Sequence, residues 1–195
     1  MQRREPEERL EQDAIRSCVE RARAGDSDAF AELFRAFRPD VGRLCTRLLG
    51  SADEAEDALN ETFSRVHRSL EKYDSGRPFR TWLLSVAAYH CIDRLRRRNT
   101  ESRIFDAGDL DPDQLATAGP SPLDHRLRRE VRQQVLDAIE QLPDCYRVPL
   151  VMRYYADFDY DTIGEALDVT RNQVATLLFR GKRKLREALR DGGYR

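Results

Sequence analysis

The sequence predicts an all-α protein of two small helical domains, which are joined by a flexible acidic linker, with a helix-turn-helix in the second. Apolar residues recur at steps of three and four along most of the chain, and no convincing strand alternation appears. Between about residues 99 and 125 this periodicity stops, and Gly, Pro and acidic residues take over. Positive charge is concentrated near the C-terminus, although the net charge of the 195-residue chain is only −1.

Composition limits the class of protein. Hydrophobic residues make up 40% of the chain and charged residues 35%, which is enough apolar side chain for real cores. No run approaches the roughly 18 apolar residues that a membrane span needs, and the N-terminus does not read as a secretory signal. We therefore expect a cytoplasmic protein with no direct membrane insertion.

The four cysteines, Cys18, Cys45, Cys91 and Cys145, are widely spaced and form no CxxC pair. The adjacent His90 and Cys91 would point about 100° apart on a helix and would rarely share a metal. We expect reduced thiols, no metal and no cofactor.

The first domain is expected over residues 25–98, after a charged lead-in at residues 1–24 that should fray. Asp26 or Ser27 could cap a first helix that ends near Pro39. An apolar helix over residues 41–49 should stop at Gly50. Ser51 to Glu54 then reads as a capping box.

A helix with one clean apolar stripe should follow this box. The stripe consists of Ala55, Leu59, Thr62, Phe63, Val66 and Leu70. Residues 73–78, YDSGRP, have the composition of a turn. From Phe79 to about Arg98 another helix is apolar on most of its circumference and ends in an arginine cluster.

The acidic linker is placed at residues 99–125, a second helical domain at 126–190 and a short tail at 191–195. The first helix of that domain should bury Leu127, Val131, Val135, Ala138, Ile139 and Leu142. A further helix is expected from Tyr146 to Tyr155, with Pro149 bending or shifting its first turns.

A helix-turn-helix is predicted from residue 159 onward. Asp159 can cap a short helix that turns Ile163, Ala166 and Leu167 inward. A tight turn follows, with Val169 as its buried plug. The longer second helix then carries Val174, Leu178, Gly181 and Leu185 on its inner side.

The opposite side of this second helix is the candidate DNA-reading face. Asn, Gln, Thr and Arg side chains can pair with base edges, whereas lysines suit phosphates. An outward aromatic among arginines is unusual on a face that is only solvated. The candidates for duplex DNA are Arg171, Asn172, Gln173, Thr176, Phe179, Arg180, Lys182, Arg183 and Lys184.

Two blocks of the chain together resemble bacterial sigma factors of the sigma-70 family, in its extracytoplasmic-function (ECF) subgroup. Residues 28–50 and 52–98, which include RPFRTWLLSVAAYHCIDRLRRR, look like region 2, the domain that grips core polymerase and opens DNA. Residues 142–186, which include TIGEALDVTRNQVATLLFRGKRKLR, are similar to region 4, the promoter-reading domain.

The resemblance implies two further sets of site residues. The polymerase contact maps onto the outward face of the capped helix at Asp57, Asn60 and Glu61, and helical periodicity adds Glu54 to the same strip. The loop that captures a flipped-out base of the −10 element maps onto residues 73–78, and the following helix would hold the single strand. This second set consists of Tyr73, Asp74, Arg77, Arg80, Trp82, Tyr89, Arg94, Arg96 and Arg97.

The resemblance also implies a function. The chain would bind core RNA polymerase, read the −35 element of promoter DNA as duplex, and melt the −10 element by trapping unstacked bases. It would have no catalytic residue and no small-molecule substrate. An anti-sigma factor is a possible further partner.

Three alternatives stay open. An autonomous helix-turn-helix regulator would bind duplex operator without polymerase. A thiol or metal enzyme would use His90 and Cys91 with His67 or His125. A protein-interaction module would show no dependence on DNA.

Overall fold

The computed structural model describes residues 4–98, Phe105 and residues 134–191, with side chains from residue 12 to residue 190 across the same gap. The described secondary structure is entirely helical, which confirms the all-α class. The helices are α1 (Arg4–Arg23), α2 (Ser27–Leu49), α3 (Ala52–Ser69), a 3-10 turn (Leu70–Lys72), α4 (Phe79–Arg98), α5 (residues 134–140), α6 (Asp144–Tyr154), α7 (Tyr160–Leu167) and α8 (Arg171–Asp191).

The chain divides into two compact units, Met1–Arg94 and Leu95–Arg195. The predicted acidic linker lies outside the described residues except for Phe105, and so do Leu127 and Val131 of the expected stripe. Within the described ranges no helix is long and apolar enough to cross a membrane.

The core of the first unit is built on the apolar faces of α2, α3 and α4. Along α2 the buried stripe runs at helical spacing, with side chains no more than 7% exposed at Leu33, Phe37, Val41, Leu44 and Leu48. The predicted stripe of α3 is confirmed, because all six of its members are buried. Burial of each large aliphatic side chain stabilises the unit by about 1.5–3 kcal/mol before entropy is counted.

The N-terminal segment is a helix, so the expectation of a frayed lead-in is wrong. α1 packs on α2 and buries Val19, with Ile15 one turn earlier half-buried. Although α1 is highly charged, it has a narrow apolar edge. The packing of this edge on α2, rather than helix propensity, stabilises α1.

Pro39 does not end a helix, which corrects a second expectation. α2 runs without a break from Ser27 to Leu49 with Pro39 inside it. Proline costs one backbone hydrogen bond, but Phe37 and Val41 are buried on either side of it, and this packing keeps the helix continuous.

The helix ends of this unit follow the predicted chemistry. Asp26 rather than Ser27 caps α2, since its carboxylate accepts from the backbone N–H groups of Asp28 and Ala29. Gly50 ends α2 in the left-handed conformation at φ 70°. Ser51 caps α3 by accepting from the N–H of Glu54 at 3.4 Å.

The second unit packs α6 and α7 against α8. Its described core includes Ala138, Leu142, Leu150, Met152 and Ile163. α6 begins at Asp144, two residues earlier than expected, and contains the buried Pro149. Arg147 joins α5 to α6, since it donates to the carbonyl of Glu140 and to the carboxylate of Asp144.

The predicted helix-turn-helix is present. Asp159 accepts from the N–H of Thr162 at 2.7 Å and caps α7. Asp168 ends α7 in the left-handed conformation at φ 55°. Val169 is half-buried rather than a fully buried plug, and its N–H donates to the carbonyl of Gly164. A Cβ on Gly164 would lie 2.8 Å from the Val169 carbonyl oxygen, so only glycine allows this close turn.

Candidate nucleic-acid interface

Residues 73–78, which we call the recognition loop, form a pre-shaped turn between the 3-10 turn and α4. Asp74 folds over the loop, because its carboxylate accepts from the N–H of Gly76 at 2.9 Å and its carbonyl from the N–H of Arg77. The Tyr73 hydroxyl donates to the carbonyl of Arg77. The loop therefore keeps its shape through its own hydrogen bonds.

Tyr73 supports this loop from within, and its contact with the single strand stays a prediction. Its side chain is only 7% exposed, and its ring packs 5.3 Å from Phe79 and 5.1 Å from Trp82. The turn and the aromatic cluster bury the ring, and sequence spacing alone does not reveal such burial. Trp82 is half-buried in the same cluster.

A cleft of about 830 Å³, which we call the loop cleft, lies between α1, α2 and the recognition loop. Its walls bring together three predicted residues, Tyr73, Arg77 and Arg80, and cations that the sequence did not single out, Arg16 and Arg43. Asp40 organises the α2 side by accepting from Arg43 at 2.5 Å and from Arg80 at 2.6 Å. A positive cleft of this kind suits a nucleotide.

The ion pairs also set the charge of Asp40. Burial raises the pKa of its carboxyl, but the hydrogen bonds from Arg80 and Arg43 outweigh burial, and the pKa is lower than usual. Asp40 therefore stays ionised and holds Arg80 in the cleft wall.

Farther along α4 the exposed cations do not belong to the cleft. Arg96 and Arg97 are exposed. A rise of 1.5 Å per residue places them roughly 24 Å along α4 from Arg80. The exposed Tyr89 lies on α4 between Arg80 and Arg96. These three remain candidates for a strand that passes along the helix.

Arg94 was also expected to contact single-stranded DNA, but its side chain is turned toward α3. It lies 3.5 Å from the Asp57 carboxylate and donates to the Glu54 carbonyl at 3.3 Å. A long guanidinium on the inner edge of α4 reaches this neighbouring helix end, and the contact of Arg94 with DNA stays a prediction.

The acidic strip, defined as Glu54, Asp57, Asn60 and Glu61, lies along the outer side of α3. Asp57 and Asn60 are exposed, and Glu54 and Glu61 are half-buried. Arg65 donates to Glu61 at 2.9 Å and is the main reason that the pKa of this carboxyl is lowered. The strip therefore carries fixed negative charge, part of which is already balanced by arginines.

In the second unit α8 presents the candidate duplex-reading face. Asn172 and Arg183 are exposed, as predicted. Arg171 is exposed too, but it pairs with Asp161 at 2.6 Å and lies over the Tyr160 ring, so it also ties α8 to α7. Asn172 is therefore the side chain on this face best placed to meet a base edge.

Two residues of the predicted face have other roles in the structure. Gln173 completes a cap at the start of α8, because its side chain accepts from the Thr170 N–H at 2.8 Å while the Thr170 hydroxyl accepts from the Gln173 N–H. Thr176 is only 4% exposed. Helical side chains lean toward the N-terminus, so longer residues three and four positions later overlie this short one.

The remaining candidates are half-buried. Phe179 is not the fully outward aromatic that was expected, and Arg180 is half-buried beside it. Lys182 and Lys184 are half-buried as well, and the Lys184 ammonium lies 5.8 Å from the Tyr146 ring centroid. Long cationic side chains commonly pack their stems on the surface while the charge stays accessible.

The thiols offer a poor basis for enzyme chemistry. A hydrogen bond with Cys45 and full burial both raise the pKa of Cys91, whereas a nucleophilic cysteine needs a lowered pKa. His67 packs edge-on against Phe30 at 4.8 Å. In the described part of the chain no group of three or more His, Cys, Asp or Glu side chains could hold a metal ion.

Sequence reasoning missed the residues that α1 contributes to the interface. Arg16 lines the loop cleft, and Arg23 donates to backbone carbonyls next to the recognition loop. The spacing of Ile15 and Val19, four residues apart, is the signal that could have revealed α1 as a packed helix.

Each of the two units contains a segment that matches a known protein family. Residues 33–101 match the family Sigma-70 region 2, and residues 132–185 match Sigma-70, region 4. α1 precedes both matched segments.

Curated relatives match most of the chain. The ECF RNA polymerase sigma factor SigW of Bacillus subtilis is 32% identical over 183 residues, covering 91% of this chain and 97% of its own. The RNA polymerase sigma factor CarQ of Myxococcus xanthus is 33% identical over 172 residues, covering 88% and 95%.

Solved structures agree in fold. CnrH, in complex with the cytosolic domain of CnrY, superposes with a TM-score of 0.57 at 18% identity, covering 91% of this chain and 98% of its own. The sigma factor RpoE of Bartonella quintana, in complex with the anti-sigma factor NepR, gives 0.55 at 17% identity, covering 83% and 96%. With its two sigma regions in order and full-length relatives above 30% identity, the chain belongs to the ECF group of the sigma-70 family.

Proposed function

We propose that this chain is a promoter-specificity subunit that binds core RNA polymerase and directs it to promoters through two separate DNA contacts. The observation that carries the proposal is the presence, in one sigma-family chain, of a helix-turn-helix and of a positive cleft beside a pre-shaped loop. An autonomous regulator needs only the first of these. The chain would supply the promoter address and strand opening, and core polymerase would supply catalysis.

The N-terminal unit would act on unpaired DNA. The loop cleft has the size of a ligand pocket, and its arginines Arg16, Arg43, Arg77 and Arg80 suit the phosphates on either side of a flipped base. Capture of such a base offsets the few kcal/mol that unstacking costs, and this favours melting of the −10 element.

The strand would continue along α4. Tyr89 offers an exposed ring for stacking, and Arg96 and Arg97 offer exposed charge. Arg94, which lies 3.5 Å from the Asp57 carboxylate, is left out of this proposed contact.

The C-terminal unit would read the −35 element as duplex. α8 would enter the major groove with Asn172 toward base edges, while Arg183 and the lysines Lys182 and Lys184 neutralise phosphates. Arg171 would support this contact by fixing α7 against α8, and α7 crosses the DNA backbone in such motifs.

The acidic strip would bind core polymerase. Carboxylates on one side of a helix, of which Asp57 is exposed and Glu54 and Glu61 are half-buried, suit a basic partner, and charge complementarity speeds association and fixes register. We place the protein in the cytoplasm, where polymerase and promoter DNA are found. An anti-sigma factor is a further proposed partner, which the complexes of fold neighbours support only by analogy.

DNA binding with and without core polymerase tests the proposal. We expect the purified chain alone to bind duplex fragments weakly and in a strongly salt-dependent way. With core polymerase it should prefer fragments whose non-template strand is unpaired. Selective binding of one duplex site by the chain alone, unchanged by polymerase, would favour the autonomous regulator instead.

A charge-reversed pair of variants tests the acidic strip within the same assay. Asp57→Arg should weaken the complex with core polymerase, because it puts a positive charge where a basic partner docks. Glu56→Arg is the matched control, since it makes the same change on exposed surface about 100° around α3. Equal affinity of both variants for core polymerase would remove the strip from the interface.

A further inference from the structure

We propose that Arg23, the last residue of α1, is a positioning residue that holds the recognition loop in the shape that receives an unpaired base. This inference rests on the proposed function of the loop cleft. It assigns a role to a residue outside both matched sigma regions.

Arg23 makes three hydrogen bonds to the chain leading into the loop. Its guanidinium donates to the carbonyls of Leu70 at 3.1 Å, Glu71 at 2.7 Å and Tyr73 at 2.6 Å. The same group lies 5.9 Å from the Tyr73 ring centroid. One side chain thus fastens α1 to backbone that follows it by 47 to 50 residues.

The Leu70 carbonyl also accepts from the backbone N–H of Tyr73, and Arg23 is its second donor. The carbonyls of Glu71 and Tyr73 stand at the C-terminal end of the 3-10 turn, where carbonyl oxygens lack helical N–H partners and the local dipole favours a cation. The loop's own hydrogen bonds, from Tyr73 and within Asp74 to Arg77, begin only after this point. Arg23 therefore fixes the base of the loop, and the internal bonds fix its tip.

Arginine is suited to this task in a way that lysine is not. Its planar guanidinium presents several donors in fixed directions, whereas an ammonium is a single point of charge. Arg23 is itself exposed, so its replacement leaves no cavity in the core. A substitution should therefore change the loop more than the fold.

The same contact sets the width of the cleft. Asp13 and Arg16 of α1 line the cleft together with Gly76 and Arg77 of the loop. Arg23 fastens the end of α1 to the loop base, and so it holds these two parts of the cleft in register. A loop that is ordered before binding loses less conformational entropy when it captures a base. Without Arg23 we expect base discrimination at the cleft to fall about tenfold.

The test uses holoenzyme assembled from the full chain and core polymerase. The probe is a pool of DNA fragments with a fixed downstream duplex, a randomised unpaired non-template segment and a randomised upstream duplex. Bound fragments are sequenced for wild type, Arg23→Met, Arg23→Lys and Arg35→Met. Arg35 is the control, because it is an exposed α2 arginine whose side chain bonds its own helix at the Ala31 carbonyl.

We expect Arg23→Met to flatten the base preference at one or two unpaired positions about tenfold and to leave the upstream duplex preference intact. Arg23→Lys should lose part of the preference, and Arg35→Met none. Thermal unfolding followed by fluorescence of Trp82, the single tryptophan, should shift by no more than about 5 °C.

Other outcomes separate the possible failures. Wild-type preference in Arg23→Met would overturn the inference, and so would an equal loss at paired and unpaired positions. If Arg23→Met does not fold, Arg23→Lys decides, and full discrimination in that variant contradicts the positioning role. A wild-type holoenzyme with upstream preference but none at unpaired positions would refute the function proposed for the cleft.

Discussion

At the scale of single residues, the structure separates side chains that are bonded within the protein from side chains that are exposed for contact with DNA. Tyr73, Gln173 and Arg94 belong to residue types that bind DNA, yet each is engaged with its own protein. Asn172 and Arg183, by contrast, remain exposed on α8. Sequence shows the type and helical position of a side chain, but only the structure shows whether its hydrogen bonds are already used.

Asn172 carries the first prediction. Asn172→Ala should cost holoenzyme about 1–3 kcal/mol of discrimination at one base pair of the upstream element, because bidentate base contacts have this magnitude. Binding of a promoter series with single base-pair changes measures it.

Lys182→Ala is the companion variant for this measurement. A phosphate contact should weaken all promoters alike and reduce the salt dependence. If Asn172→Ala also weakened binding to every promoter equally, Asn172 would contact the DNA phosphates rather than a base.

Asp159 carries a prediction about pH. The hydrogen bond from the Thr162 backbone N–H is the main cause that lowers the pKa of this capping carboxyl in the folded state. Its stabilisation is therefore complete above the ordinary aspartate pKa of about 3.9 and is lost as pH falls through the lower folded pKa.

Urea unfolding at pH 7 and at acidic pH, followed through the NMR signals of Ile163, measures this effect. Asp159→Ala should lose about 1 kcal/mol of unfolding free energy at pH 7, while Asp159→Asn keeps most of the cap without its acid sensitivity. An identical acid response in wild type and Asp159→Asn would show that the carboxylate charge contributes nothing.

At the scale of elements, most helices follow from the sequence because their signals are local. The cap at Asp159, the glycine stop at Gly50 and the six-member stripe of α3 are all present as predicted. Each needs only neighbouring residues to form.

The missed elements depend on contacts that are distant in sequence. α1 is held by α2 and by the end of the 3-10 turn, and α2 continues through Pro39 because its buried side chains pack on other helices. The spacing of Ile15 and Val19 indicates that α1 has an apolar edge, but no local signal shows which distant helices these elements pack against. The recognition loop was located from its composition and resemblance, but the cleft beside it required the position of α1.

Two glycines give a matched prediction for the helix-turn-helix. Gly164→Ala places a Cβ 2.8 Å from the Val169 carbonyl oxygen, and backbone cannot yield without opening the turn. The second unit should lose about 1–3 kcal/mol of unfolding free energy and bind duplex DNA more weakly.

Gly181→Ala is the control, because its new Cβ would meet the Leu150 side chain at 3.1 Å. The terminal methyl group of the buried Leu150 has to yield by only a few tenths of an ångström, and alanine favours helix by about 1 kcal/mol over glycine, so the net change should stay within about 1 kcal/mol. Chemical denaturation followed by circular dichroism compares the two. Equal stability of both variants would contradict the role given to the close turn.

At the scale of the whole molecule, the proposed function gives the two helical units of one sigma-family chain two kinds of DNA contact. Paired DNA suits the exposed face of α8, and unpaired DNA suits the loop cleft with its surrounding arginines. A nearly neutral net charge hides this division, because most of the acidic residues lie outside the α8 face and the cleft, which itself contains Asp13 and Asp40. A promoter must be found as duplex and then opened, so neither contact alone would be sufficient.

The most direct measurement is transcription in vitro with purified core polymerase on a genomic DNA pool, followed by sequencing of transcript 5′ ends. With this chain present we expect start sites that share an upstream duplex element and a melted element at fixed spacing, absent from reactions with core polymerase alone. Start sites that are as scattered with the chain as without it would contradict the account.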